Sequence, residues 1–263
     1  MSGEPANVSS ARPVLALFIS DLHLQPSHPR TCAAFFQFLE HQAMAAQQLY
    51  LLGDLFEYWA GDDDLDSPFH QTIVSALRAV SDAGVAVFWI AGNRDFLVGA
   101  GFGAACGLTL LEEPYVADFG GTRVALVHGD AQCTGDLKYM EFRQQVRSPA
   151  WQAQFLALPL AQRKAIIAGL REGSREAHTT KSYALMDVAP DAVAALHAHS
   201  AADTIIHGHT HHPALHTDGV RRRYVLPDWE LDEAPGSATR GGWIAISQQG
   251  AITRHALDGS TIS

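Results

Sequence analysis

The chain has 263 residues, 47% of them hydrophobic and 17% charged, which is enough for one large α/β domain or for a core domain carrying an insert. A formal net charge of -10 excludes nucleic-acid binding through a general positive field, so any anionic ligand must be met by local cations or by metal. Cys32, Cys106 and Cys133 contain no CxxC pair, which argues against a disulfide framework and a thiolate zinc site and fits a reducing cytosol.

Residues 1–12 lack the basic and apolar regions of a secretory signal and read as a disordered lead-in to a single domain over 13–263. Val14–Ile19 is the first strand-sized apolar run and ends at Asp21-Leu-His23. A helix-like stretch, Thr31–Gln48, leads to the run Leu49–Leu52, which ends at Gly53-Asp54. Gly61-Asp-Asp-Asp64 reads as a solvated loop. A second helix-like stretch, Pro68–Ala83, leads to Val85–Ile90 and the polar end Gly92-Asn93-Arg94-Asp95, giving βαβαβ order. Arg123–Val127 ends at His128-Gly-Asp130, and Thr204–Ile206 ends at His207-Gly-His209-Thr-His211.

Between these last two runs lies a mostly helical insert, about 136–190, interrupted at Pro149 and Pro159. From Asp136 to Asp187 it carries eight basic and five acidic residues, a balance of +3 that leaves -13 for the rest of the chain. Its Trp151, Phe155 and Leu158, then Ile166, Ile167 and Leu170, recur at helical spacing, and Trp151, Phe155, Leu156, Leu160, Ile166 and Leu170 serve helix packing, an apolar groove, or both. Arg223–Leu226, Gly242–Ser247 and Ala251–His255 then read as closing antiparallel strands. No run approaches the roughly 20 apolar residues needed to span a bilayer, so any membrane contact is peripheral.

A polar residue after one strand is usually only a turn. Five successive strand ends bearing Asp21, His23, Asp54, Asn93, His128, His209 and His211 point to one site, because open α/β sheets bind ligands at the carboxyl ends of their strands. Imidazole, carboxylate and amide oxygen without thiolate suit manganese, iron or zinc. The donors exceed what one tetrahedral ion can use. Two ions roughly 3.5 to 4 Å apart, sharing a short bridging carboxylate, would use them all and form the clamp for phosphoester hydrolysis. Asp54, alone at its strand end, is the candidate bridge.

Asp21-x-His23, Gly53-Asp54, Gly92-Asn93, His128 and Gly208-His209-Thr-His211, in that order, resemble the calcineurin-like metallophosphoesterase superfamily. The resemblance implies a four-layer αββα sandwich of two mixed sheets, with Asp21, His23, Asp54 and His211 on one ion and Asp54, Asn93, His128 and His209 on the other. His207 is then a packed histidine, Asp95 a supporting residue and Cys133 a small packing residue. Many members of the superfamily have histidine after the motif asparagine; here Arg94 stands in that place. Arginine does not give up a proton at neutral pH, but its planar fork grips two phosphate oxygens, which suits a diphosphate whose leaving phosphate needs little protonation.

The longer segments Gly53–Asp63, Gly92–Leu97, His128–Thr134 and Ile206–His211, with Met186–Val188 and Tyr224–Leu226, are similar to the UDP-2,3-diacylglucosamine diphosphatase family of lipid A biosynthesis. That resemblance implies hydrolysis of the pyrophosphate to UMP and 2,3-diacylglucosamine 1-phosphate by attack on the α-phosphorus, with two divalent ions, most often Mn2+. It implies Asn93 and Arg94 as catalytic residues and substrate contacts from Asn93, Arg94, Asp136, Ser174, His178, Lys181 and His209. His178 stands where the family has asparagine, and Gly135, His212 and Pro227 also depart from the pattern. The partners implied are a lipid-linked nucleotide diphosphate and, peripherally, the cytoplasmic face of the bacterial inner membrane, with no nucleic acid and a monomer favoured. Another nucleotide diphosphate or phosphodiester as substrate, and a binding module whose metals are structural or absent, are the alternatives.

Overall fold

The computed structural model describes residues 14–178, 187–233 and 238–262, without side chains for 172–178. The expected lead-in, Lys181 and Met186 lie outside the described residues, as do the side chains of Ser174 and His178.

Val14–Ile19 (β1), Ala46–Leu51 (β2) and Ala86–Trp89 (β3) pair in parallel, joined by Pro29–His41 (α1) and Pro68–Asp82 (α2). Each helix starts with proline at its first turn, where a missing N–H costs nothing. Ser67 caps α2, and the Asp232 carboxylate caps α1 by accepting from Arg30 N and Thr31 N. The expected helix Thr31–Gln48 is too long: α1 ends at His41 and the chain is already strand from Ala46, because Leu49 and Leu51 need three residues of lead-in to reach their places against α1 and α2.

After Ala100–Cys106 (α3) come Thr109–Leu110 (β4), Tyr115–Phe119 (β5) and Thr122–Leu126 (β6). Leu137–Val146 (α4), Pro149–Leu156 (α5), Leu160–His178 (α6) and Pro190–Ser200 (α7) precede Thr204–His207 (β7). The two expected interruptions are helix starts: Pro149 is the first residue of α5 and Pro159 precedes α6. Leu215–Asp218 (β8), Arg221–Val225 (β9), Gly242–Ser247 (β10), Ile252–Ala256 (β11) and Thr261–Ile262 (β12) complete the strands.

One sheet runs β12-β11-β10-β1-β2-β3-β4 and the other β5-β6-β7-β9-β8, both mixed. Phe18, Tyr50, Leu52 and Ile244 of the first sheet meet Phe119, Leu126, Ile206 and Tyr224 of the second in a dry seam. The opposite face of the first sheet, through Leu17, Leu49 and Trp89, packs on Phe35 and Phe38 of α1, Ile73 and Leu77 of α2 and Phe102 of α3. Ala125, Val127 and Ile205 on the outer face of the second sheet pack on Leu196 of α7. These are the expected αββα layers. Strands covered on both faces have no polar side to alternate with, so β1 reads as a continuous apolar run, and so do the buried end of β2 from Leu49 and the centre of β7 at Ile205-Ile206.

The acidic stretch at 61–64 is not a solvated loop. Asp62 accepts from Trp59 Nε1, Gly99 N and Phe102 N and so caps α3. Asp63 pairs with Arg163, which is 1% exposed, and Lys164 Nζ lies 2.6 Å from Asp64. Its charges are spent fastening α6 to the core.

Candidate active site

Asp21 and His23 follow β1, Asp54 follows β2 and Asn93 follows β3, all in the first sheet; His128 follows β6, and His209 and His211 follow β7, in the second. The seam between the sheets brings both sets of strand ends together. Six non-glycine residues among those described have left-handed backbones, and five are Asp21 (φ 55°), His23 (49°), Asp54 (54°), His209 (69°) and His211 (55°). Each such conformation costs on the order of 1–3 kcal/mol and persists only where its surroundings enforce it. Here Asp54 O accepts from Leu22 N and His23 N at 2.9 and 3.0 Å, and Asp21 O accepts from Trp229 N at 2.9 Å. Buried Asp95 accepts from Gly92 N, Asp54 N, Leu55 N and Phe56 N, tying the ends of β2 and β3 together as a supporting residue. Gly92 is glycine of necessity, because a Cβ there would collide with the Asp54 carboxylate.

Two donor groups result. Asp21, His23 and His211 present ligand atoms within 4.8 Å of one another, and so do Asp21, Asp54 and His128. Asp21 belongs to both groups and Asp54 to the second. That second group extends to Asn93, whose Oδ1 faces His128 Nε2 at 2.9 Å and His209 Nδ1 at 2.8 Å. In the first, His23 Nε2 and His211 Nε2 face each other at 3.3 Å. Asp21 Oδ2 accepts from Ser20 Oγ and His209 N, whereas its Oδ1 is buried without a hydrogen-bond partner, with His211 Nε2 3.4 Å away. A buried, unpartnered carboxylate oxygen between imidazole nitrogens is what a cation site needs, so the donor set fits divalent ions of intermediate hardness. His128 Nδ1 lies 2.8 Å from Leu52 O, and since a carbonyl only accepts, Nδ1 carries the proton and Nε2 is the nitrogen offered to an ion.

The electrostatics agree. Burial pushes His23 and His209 down to about 4, aided at His209 by the charge of His128, so both keep free lone pairs at neutral pH. Burial would raise Asp21, but the His211 imidazole, with His128 and His23, holds it well below the usual carboxylate range. His128 is the exception: burial disfavours its charge, yet Asp54, Asp21, Asp130 and the Leu52 carbonyl raise it to about 9. An ion binding there must displace its proton.

Of the other residues expected at the site, Arg94 sits at its edge, with its backbone N donating to Asp54 Oδ1 at 2.8 Å and Nη1 3.4 Å from Glu57. Asp136 caps α4 by accepting from Tyr139 N. His207 is packed, flanked by Gly208 O and Arg223, and Cys133 is buried with its Sγ 3.6 Å from Gly129 O.

Sequence reasoning missed several residues that brace the site. Glu57 stands 3.3 Å from His23 Nδ1 and also pairs with Arg94 and Arg171. Asp228 Oδ2 lies 3.7 Å from His211 Nδ1 and accepts from Arg240 Nε at 2.9 Å. Buried Asp130 accepts from Tyr139 Oη at 2.6 Å and Arg143 Nε at 2.8 Å, and Arg147 Nη2 donates to Gly92 O at 2.9 Å, so α4 holds the Asn93 loop from outside. Asp228 had a signal: it follows β9 as the other acids follow their strands.

Residues 15–213 match the family model described as calcineurin-like phosphoesterase, and the chain belongs to that family. It is therefore a hydrolase of the divalent-metal-dependent phosphoesterase class. Proteins named UDP-2,3-diacylglucosamine hydrolase from Chromohalobacter salexigens and Stenotrophomonas maltophilia are 49% and 45% identical to it, over 81% and 86% of this chain and 88% and 96% of theirs. At that identity and coverage the chain belongs, within the class, with the UDP-2,3-diacylglucosamine hydrolase family. A solved structure of Vps29 with Zn2+ from Entamoeba histolytica has a TM-score of 0.46 at 15% identity, covering 94% of this chain and 95% of that one.

Proposed function

We propose that the chain hydrolyses the pyrophosphate bond of UDP-2,3-diacylglucosamine to UMP and 2,3-diacylglucosamine 1-phosphate in lipid A biosynthesis. Besides the names of its relatives, one observation carries this reading: Arg94 lies between the donor groups and a cavity of about 80 Å³ walled by Phe96, Phe142, Trp151, Ile167 and Leu170. A cation beside metal ligands at the mouth of an apolar cavity suits a diphosphate bearing acyl chains. Trp151 and Phe155 pack toward the core, whereas Leu156, Ile166 and Leu170 keep more than a third of their surface exposed. Residues about 136–190 are read as a cap within the single domain 13–263.

Asp21, His23, Asp54 and His211 are assigned to one ion, and Asp54, Asn93, His128 and His209 to the other, with Mn2+ as the metal. Bound ions would supply an acidified water near neutral pH and offset phosphate charge. The chain's own residues do the rest. Asp54 and Asn93, fixed by Asp95, set the position of the α-phosphorus relative to the attacking water. Arg94 clamps phosphate oxygens through its fork. The new P–O bond forms on the uridylyl side, and the bridging oxygen leaves with its electron pair on the lipid phosphate, which needs little protonation. Asp136, Ser174, His178 and Lys181 are assigned to the rest of the substrate.

No helix among the described residues is long and apolar enough to cross a membrane. Peripheral contact by a monomer with the cytoplasmic face of the inner membrane is the arrangement that fits a lipid substrate. The test is UMP release from UDP-2,3-diacylglucosamine with Mn2+ in 18O water. Label in UMP is the expected result; no release, or label in the lipid phosphate, would overturn the assignment.

A further inference from the structure

A second cavity, of about 220 Å³, lies on the outer face of the second sheet, between α7 and the β8–β9 hairpin. Its walls are Val193, Ala194 and His197 of α7 and His216, Arg221 and Arg223 of the hairpin. The sequence places Arg221-Arg222-Arg223 in one strand of a protein with net charge -10. Tyr224 of that strand is buried in the seam between the sheets, so by alternation Arg221 and Arg223 project from the other face, where α7 packs. His216 is the direct cross-strand neighbour of Arg223.

These arginines differ in what they face from those that brace the active site and its helices. Arg94, Arg143, Arg147, Arg163, Arg171 and Arg240 each pair with a carboxylate. Arg223 instead donates to His207 Nε2 at 3.0 Å, a ring whose Nδ1 proton is directed to Gly208 O, and keeps its remaining N–H groups. Asp218 stands opposite Arg221 in the hairpin register and lines the same cavity, yet forms no ion pair with it. Among the described residues no carboxylate pairs with Arg221, Arg222 or Arg223. Asp218 lines the cavity and the Asp187 charge acts on Arg223 and His216, but neither carboxylate is in ion-pair contact with the three consecutive arginines, so the half-buried guanidinium groups on this face keep an excess of positive charge that an anion can offset.

We propose that this cavity is an anion site that takes a phosphate group, held by the forks of Arg221 and Arg223 with His216 beside them. Its volume admits a phosphate with a substituent or several waters, since one water occupies about 30 Å³ of liquid. The phosphate can come from solution or from an anionic phospholipid headgroup, and the two sources are separable.

Inorganic phosphate is titrated calorimetrically into the metal-loaded wild type, Arg221→Gln/Arg223→Gln and Arg221→Lys/Arg223→Lys. Phosphate binding at the metal centre is common to all three, so differences between isotherms read the cavity. The wild type should show an additional site, weakened about tenfold or more in the glutamine variant and retained in the lysine variant. Retained turnover checks that the variants fold; if the double variant does not, Arg221→Gln alone is read the same way. Co-sedimentation with phosphatidylcholine vesicles, with and without phosphatidylglycerol, then identifies the source. Loss of phosphatidylglycerol-dependent binding in the glutamine variant assigns a headgroup, and equal vesicle binding beside a lost phosphate site assigns free phosphate. Identical phosphate isotherms for wild type and glutamine variant would overturn the proposal.

Discussion

Gly53→Ala adds one methyl group where three of the candidate metal ligands converge. The new Cβ would lie 2.5 Å from Gly92 Cα and N and 2.7 Å from His128 Nδ1, against the 3.4 Å at which ordinary contact begins. Gly92 is main chain and cannot swing aside, and its N–H is already committed to Asp95. Relief therefore requires the ends of β2 and β3 to separate by about 0.9 Å, the difference between 3.4 and 2.5 Å. Gly53 also has φ +86°, which costs an alanine roughly 1–2 kcal/mol. Overpacking adds about 1–3 kcal/mol, for a total of roughly 2–5 kcal/mol. A displacement near 1 Å between Asp54 and Asn93 should lower turnover about 10²-fold. Metal content, UMP release and the urea midpoint measure the three consequences separately. Gly169→Ala is the control: in α6, with nothing within 4 Å of its Cβ, the same change should stabilise by about 0.5–1 kcal/mol. Full metal loading and turnover within about twofold of wild type in Gly53→Ala would refute the argument that this contact sets the spacing of the ligands.

Arg94→Ala should retain both metal ions and lose about 10- to 100-fold in turnover, as expected for a charged fork on phosphate; elemental analysis showing lost metal would make Arg94 a scaffold residue. Asp228→Ala should weaken metal binding about 10- to 100-fold in a chelator competition, because the carboxylate beside His211 Nδ1 orients a candidate ligand; unchanged affinity would exclude that role. The metal-free chain should lose stability on acidification. Burial sets the folded pKa values of His23, His207 and His209 at about 4, 3 and 4, below the ordinary 6.5, so the unfolded chain binds more protons and stability falls as pH drops from 6.5 toward 4. Asp95, raised by burial to about 7, acts oppositely, as do Glu113 and His211, which are also raised, but His70 and His216, lowered by burial, add to the three buried histidines. A urea midpoint higher at about pH 5 than at about pH 6.5 would contradict this account.

The donor residues could be read in advance because two requirements coincide in them. A strand covered on both faces is uniformly apolar, and its end is where polar ligands are admitted, so the transition from Ile19 to Asp21 or from Ile206 to His209 marks both the fold and the site. What escaped notice lacks that contrast. β8 is exposed along its whole length and β5 buries only Phe119, so neither shows an apolar run. α3 reads Ala-Gly-Phe-Gly-Ala-Ala-Cys, and its start depends on Asp62, 38 positions before Ala100, whose carboxylate accepts from Phe102 N. The charges of α4 resemble a solvated face until Tyr139 and Arg143 are seen on buried Asp130. Pairings of that kind are tertiary, and one sequence does not reveal them.

The candidate ligands extend from Asp21 to His211, and Asp21 accepts a hydrogen bond from His209 N, so the first strand's contribution is completed by a loop 188 positions later. During synthesis most of the chain must emerge before its earliest acid meets that partner. A growing chain can form β1, α1, β2 and α2 in order without assembling the donor set. Hydrolytic competence is thereby deferred until both sheets have closed on each other, and an internal stop anywhere before β7 yields a product unable to gather the second group of histidines, however well its first half folds.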